Sequence, residues 1–256
     1  MLTHDAAKSL AIATHAAQAE QFASFYAAAD PFASCFNYSR FRLDEILYRL
    51  LPAPSVASKI LDIGCGTGHQ MKRLASMGYA VSGVDGSPEM LGHATRNNPG
   101  ATLRQADVES LPFDAATFDA VISIEVLRYL PDPRQSIREM ARVLKPGGVA
   151  VVTATPVLNL NGYAIINRLA TMGLPGFVRL RQYFTTSRRL RRQFQDAGFR
   201  EVQIHGVYWG PINWVERLAR SWTPAFLRRW LPIDRLLADA RIARQLSNMF
   251  VVRAIR

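Results

Sequence analysis

Cysteine is scarce: Cys35 and Cys65 are the only two in 256 residues. They show no metal-ligand spacing and give no disulfide framework, so a stapled scaffold is excluded and a reduced, cytoplasmic setting is expected. Long apolar runs are missing as well. None reaches the ~18 residues needed to span a bilayer. The N-terminus, with Asp5 and Lys8 among alanines, lacks the charged-then-apolar order of a signal peptide and reads as a helix. Acidic residues run short late in the chain. Residues 1–150 carry 14 Lys/Arg and 15 Asp/Glu, whereas residues 151–256 carry 17 arginines and 5 acids. The net charge of +11 therefore belongs to the C-terminal part. It suits an anionic partner (a lipid surface, a carrier protein, a phosphorylated acceptor or nucleic acid) or an ordinary solvated surface.

What is present is organised around Lys59-Ile60-Leu61-Asp62-Ile63-Gly64-Cys65-Gly66-Thr67-Gly68. The apolar run Ile60–Ile63 reads as a buried parallel strand. Three glycines spaced two apart follow, then an amphipathic segment (Met71, Leu74, Met77) that reads as a helix over 68–77. Ligands of open α/β sheets bind outside the carboxyl ends of such strands. The dinucleotide fingerprint G-x-G-x-x-G would need its third glycine at position 69, which is His69. Asp62 also sits badly beside a pyrophosphate. A cationic ligand would welcome it, and S-adenosylmethionine carries both a sulfonium and an ammonium.

Strand–helix alternation continues, as in a doubly wound parallel sheet. A second strand at 80–84 ends on Asp85, 21 residues after Gly64, where a carboxylate can accept both ribose hydroxyls. Ser87 and Pro88 read as the N-cap and first position of a helix. A third strand near 102–106 leads to Asp107-Val108-Glu109-Ser110-Leu111-Pro112-Phe113, and a fourth spans 118–124. Arg142 to Gly148 closes a helix and turns into a fifth strand at 149–155.

Asp-x-Gly-x-Gly-x-Gly, Val84-Asp85-Gly86-Ser87-Pro88-Glu89-Met90, Asp107–Phe113 and Arg142–Gly148 stand in order at matching spacing over 58–155. Together they resemble the class I S-adenosylmethionine-dependent methyltransferases, in particular the type 11, quinone-biosynthesis-like group. The resemblance implies an α/β fold: a doubly wound, mostly parallel seven-stranded sheet of order 3-2-1-4-5-7-6. An N-terminal helical lid would cover 1–55. The methyltransferase domain would cover 56–256, with helical insertions after strands 5 and 6 at 156–186 and 209–247. It implies S-adenosylmethionine as cofactor. Asp62, Gly64 and Gly66 would hold the amino-acid part, Asp85 and Gly86 the ribose, and Met90, Asp107 and Val108 the adenine. Ile124 would offer a backbone carbonyl to the ammonium.

Outside 58–155 the resemblance fades. Residues 4–27 read as an Ala-rich helix with Phe22, Phe25 and Tyr26 as an apolar edge, 30–38 as a breaker-rich loop, and 39–51 as a second helix. Tyr38 and Arg42 are candidates for the lid or for the cofactor carboxylate. Further elements are expected at 187–197 (helix), 199–208 (strand) and 248–255 (last strand). Residues 209–247 are too long for a hairpin loop and should be helical. There Trp209, Trp214, Trp222, Phe226 and Trp230 alternate with arginines, among Pro211, Pro224 and Pro232. Such a segment roofs a pocket, forms a cap or lies in a membrane interface.

Several chemistries are argued down. After strand 4, Ile124-Glu125-Val126-Leu127 replaces the Asn/Asp-Pro-Pro-Tyr run of base amino methylation. No cysteine stands in a nucleophile motif. Only four lysines exist, Lys8, Lys59, Lys72 and Lys145, which disfavours a ribose methyltransferase with a catalytic lysine. Nucleic acid is therefore not the expected partner, and no metal site is expected. The reading is O-methylation of a small or lipid-like biosynthetic intermediate, with contact between 179–244 and an anionic surface or carrier protein. An RNA- or protein-modifying enzyme is the alternative. Candidate bases are Glu125, Tyr129 and His205, followed by His69 and Tyr208.

Overall fold

The computed structural model describes residues 3–21, 30–55, 57–170, 180–240 and 242–256. Its sheet has seven strands in the order β3-β2-β1-β4-β5-β7-β6. These are β1 (Lys59–Ile63), β2 (Ala80–Asp85), β3 (Thr102–Gln105), β4 (Phe118–Ser123), β5 (Leu144–Ala154), β6 (Glu201–Trp209) and β7 (Ser247–Ile255). β7 runs antiparallel between β5 and β6, and the other pairings are parallel. The order is the one expected.

Helices cover both faces. α1 (His4–Ala16), α2 (Cys35–Leu50), α3 (His69–Ser76), α4 (Pro88–Asn97) and α5 (Arg134–Val143) come first. α6 (Tyr163–Ala170), α7 (Ser187–Asp196), α8 (Ile212–Leu218) and α9 (Thr223–Ala238) follow. Strand alternation sorts the core into two layers. Leu61 and Ile63 pack with Ile137 and Met140 of α5 and with Leu190 and Phe194 of α7. Ile60 and Ile122 pack with Leu43, Ile46 and Leu47 of α2. Each of these side chains is fully or almost fully buried and contributes ~1.5–3 kcal/mol relative to exposure.

Some boundaries differ from the sequence expectation. α2 starts at Cys35, inside the expected loop, because Ser34 Oγ accepts the Asn37 N–H at 3.1 Å and caps it. α1 ends at Ala16; Phe22, Phe25 and Tyr26 lie outside the described residues. β5 starts at Leu144, which pairs with Phe118 before a register shift resumes at Val149. Pro232 does not break α9, which runs through it on an exposed face.

The described part of 209–247 is mostly helical, as expected, and its tryptophans divide. Trp230 stacks on Trp209 at 5.7 Å and on Phe226 at 5.5 Å, and its Nε1 donates to the Trp209 carbonyl. Trp214 and Trp222 are exposed. Many C-terminal arginines serve the fold. Arg244 donates to the Ile204 carbonyl at 2.9 Å and Arg253 to that of Leu50 at 3.2 Å. Arg191 and Arg256 donate to the carbonyls of Val202 and Leu144. Among the described residues no helix is long and apolar enough to cross a membrane.

Candidate active site

The glycine turn after β1 is drawn back onto β2. The N–H groups of Gly64 and Cys65 both donate to the Val84 carbonyl, at 2.8 and 2.9 Å. Gly64 (φ +75°) admits no side chain, because a Cβ there would lie 2.3 Å from Val126 Cγ2. Gly66 (φ +52°) differs: nothing lies within 4 Å of where its Cβ would be. Its N–H donates to Asp85 Oδ2 at 2.9 Å, while the Ser87 N–H donates to Oδ1 at 2.9 Å. Ser87 Oγ in turn accepts the Met90 N–H and caps α4. The turn, the Asp85 carboxylate and the start of α4 thus form one hydrogen-bonded unit.

This unit floors a cleft of about 210 Å³. All nine residues expected at the cofactor (Asp62, Gly64, Gly66, Asp85, Gly86, Met90, Asp107, Val108 and Ile124) line it. Asp62 is buried, and burial followed by repulsion from Asp85 pushes its carboxyl up to about 8. Burial also raises Asp85, against the N–H groups of Ser87 and Gly66. Two carboxyl groups whose charge is disfavoured make a strong local demand for a cation.

A protein-family model described as a methyltransferase domain matches residues 61–152. A ubiquinone biosynthesis O-methyltransferase of Methylocella silvestris is 30% identical over 179 residues, 68% of this chain and 70% of that protein. The enzyme of that name from Parvibaculum lavamentivorans is 29% identical over 161 residues, 60% of this chain and 64% of that protein. The chain thus spans about two thirds of the length of the curated relatives it matches. A solved S-adenosylmethionine-dependent methyltransferase of Thermotoga maritima superposes with TM-score 0.65 at 16% identity, over 94% of this chain and 97% of that one.

The chain belongs to the class I S-adenosylmethionine-dependent methyltransferases. Its cofactor is S-adenosylmethionine, and the site fits that group. The Asp62–Asp85 pair awaits positive charge, and Gly66 leaves open the space a Cβ would fill.

The methyltransferase's cleft continues past the glycine turn to residues that the sequence did not single out. His15 and Lys8 of α1 and Arg40 of α2 line it beside Glu125 and Tyr129. Glu125 has left-handed backbone (φ +61°), uncommon without a glycine. Its N–H donates to Thr153 Oγ1 at 2.6 Å. Its carboxylate bridges Arg128 at 2.7 Å and Arg40 at 3.0 Å. Burial pushes Glu125 up, but the two guanidinium groups overcome it and hold the carboxyl below its ordinary value. That makes Glu125 a poor base and a good anion. The His15 ring stands edge-on to Tyr129 at 4.8 Å. His69 lines the cleft, and burial holds it below its ordinary value.

Other expected residues lie outside the cleft or are already bonded there. His205 lies on β6 at the sheet edge, paired with Asp239 at 2.5 Å, and is not among the cleft residues. Burial lifts Tyr208 well above its ordinary range, and its hydroxyl donates to Asn213 away from the cleft. Tyr38 and Arg42 do not reach the cleft either. Both donate to Asp234 Oδ2 of α9, at 2.8 and 2.9 Å. Asp107 does line the cleft, but Lys8 holds its Oδ2 at 2.5 Å and the Glu109 N–H donates to Oδ1 at 2.9 Å. The signal for Lys8 and His15 was present: with Ala11 and Ile12 they form an i, i+3, i+4, i+7 stripe on α1.

Proposed function

We propose that this methyltransferase transfers its methyl group to a hydroxyl oxygen of a small or lipid-like biosynthetic intermediate. The observation that carries the reading is the far end of the cleft, where His15, Arg40, Glu125 and Tyr129 surround one space continuous with the glycine turn. The names of the curated relatives support O-methylation.

When bound, S-adenosylmethionine supplies a methyl group on a positively charged sulfur, a leaving group already activated. The chain's task is then alignment and water exclusion. Asp62, Gly64 and Gly66 take the amino-acid part, with the Ile124 carbonyl on the ammonium. Asp85 and Gly86 take the ribose. Met90, Asp107 and Val108 take the adenine, Asp107 with Lys8 as a standing partner. Residues 1–55 act as a lid. Its described part is tied to the domain by Lys8–Glu109 at 2.7 Å, and Ile12 sits where a Cβ on Gly86 would be. No described residue of the insertions 156–186 and 209–247 lines the cleft, and 209–247 bears on it through α2, whose Tyr38 and Arg42 donate to Asp234.

The surface of 179–244, described for 180–240 and 242–244, is assigned a contact with an anionic surface or carrier protein. There Trp214, Leu218 and Trp222 are exposed beside Arg217 and Arg220. Co-sedimentation with anionic but not zwitterionic vesicles, lost at high salt, is the outcome expected of a lipid surface. The arginines spent on backbone carbonyls weigh against a polyanion-binding groove for RNA.

The deciding experiment is transfer of labelled methyl into an extract of the source cells, followed by separation into organic-soluble, polar, protein and RNA fractions. Label in the organic fraction, in a base-stable ether, is expected. Label confined to protein or RNA would overturn the reading.

A further inference from the structure

α1 brings one histidine ring into the cleft. His15 Nδ1 lies 2.7 Å from the Ala11 carbonyl one turn earlier. A carbonyl only accepts, so Nδ1 carries the proton and the neutral ring keeps its lone pair on Nε2. The Tyr129 ring sets the plane of the imidazole by edge contact at an interplanar angle of 72°. Among the described residues, Lys8 of its own helix, Arg40 of α2, Asp85 at the end of β2, and Glu125 and Tyr129 after β4 line the cleft with it, and Arg128 lies over the Tyr129 ring at 5.6 Å. Lys8 is neutralised by Asp107 and Glu109.

We propose that His15 is the general base of the transfer, taking the acceptor's proton on Nε2. The inference rests on the hydroxyl-acceptor reading. The acceptor O–H bond breaks and its proton goes to Nε2. An oxygen electron pair forms the O–CH₃ bond. The C–S bond breaks with its pair left on sulfur, so the positive charge passes from the sulfonium to the imidazolium. Glu125 cannot take this role while Arg40 and Arg128 share its carboxylate, and it serves instead as the anion beside the charged ring. The arrangement follows the logic of a hydrogen-bonded, carboxylate-supported histidine.

The test uses the full chain. In ¹⁵N-histidine-labelled protein, with His15→Gln as the assignment control, the neutral His15 ring should show the Nδ1-protonated tautomer with and without S-adenosylhomocysteine. The Nε2-protonated tautomer would overturn the proposal, whatever the acceptor. Methyl transfer to the organic fraction of the cell extract gives the second readout. His15→Gln and His15→Asn should lower kcat by about 10²–10⁴-fold and remove the acid limb of the pH profile. Affinity for S-adenosylhomocysteine, read by calorimetry, should change less than threefold. Unchanged kcat, or a loss matched by weakened product binding, would overturn the proposal. Wild-type label that never enters the organic fraction would sink the acceptor reading instead, leaving the tautomer to decide the state of His15.

Discussion

Asp62 and Asp85 repel each other across the floor of the cleft, and that repulsion adds to burial in raising the Asp62 carboxyl to about 8. A cationic ligand favours the ionised pair. Binding below pH 8 must therefore expel a proton, and affinity for S-adenosylmethionine should fall as pH drops from 8 to 6, by up to tenfold per unit. Calorimetry in buffers of different ionisation enthalpy should detect that proton. Asp62→Asn should flatten the dependence. The same shift sets the stability of the ligand-free protein. The folded state holds this proton more tightly than the unfolded chain, whose carboxyl titrates near 4. This contribution is present at acid pH and is lost as pH rises through about 8. The melting temperature measured without ligand should be higher at pH 6 than at pH 8, and the gap should shrink in Asp62→Asn.

Gly64 and Gly66 should fail differently when replaced by alanine. Both have left-handed backbone, costing ~1–2 kcal/mol for any residue with a Cβ. Gly64→Ala also strikes Val126, so its stability loss should exceed that of Gly66→Ala and be partly restored in the double variant with Val126→Ala. Gly66→Ala meets no protein atom, and its larger effect should be on cofactor affinity. Urea unfolding and calorimetry separate the two. Equal stability losses would refute this account.

Asp234 should be a stability residue. Fully buried, it accepts from Tyr38, Arg42 and the Trp209 N–H. Asp234→Ala leaves Arg42 buried with only Glu45 beside it, and ~3–5 kcal/mol should be lost in urea unfolding. A loss under 1 kcal/mol would show that the network is not holding α2 to α9.

Lys8 should control the traffic of cofactor. Its ion pairs fasten α1 to the segment after β3. Lys8→Met should leave unfolding within about 1 kcal/mol while speeding release of S-adenosylhomocysteine in stopped-flow. Raised salt should speed wild-type release and barely affect the variant. Identical release rates would remove α1 from the role of lid.

The strands and the glycine turn were legible because they are written locally, whereas the sheet order came from the family resemblance. Strand ends, glycine spacing and acids at fixed offsets fall within single strand–turn–helix units, and every residue expected there lines the cleft. The rest of the cleft was less legible because it is assembled from a distance. His15, Arg40 and Glu125 meet from α1, α2 and the segment after β4, and no local period announces a contact between residues 15 and 125. His205 misled for the related reason that a histidine on a strand looks alike at the centre and at the edge. The structure puts it on β6, the terminal strand, beside Asp239, which follows α9. Tyr38 was read as the end of a loop and Arg42 as part of a helix starting at 39; the helix starts at Cys35 and turns both toward Asp234, a partner 192 or more residues away that no local pattern announces.

α2 serves two masters. One side carries Arg40 into the cleft, and the other binds α9 through Tyr38 and Arg42. The wall that α2 gives the cleft is therefore not separable from α9. A chimera that exchanged 209–247 alone for the same region of a relative would orphan two buried donors and shift Arg40, so the unit of exchange for altering acceptor preference is α2 together with α8 and α9, moved as one block.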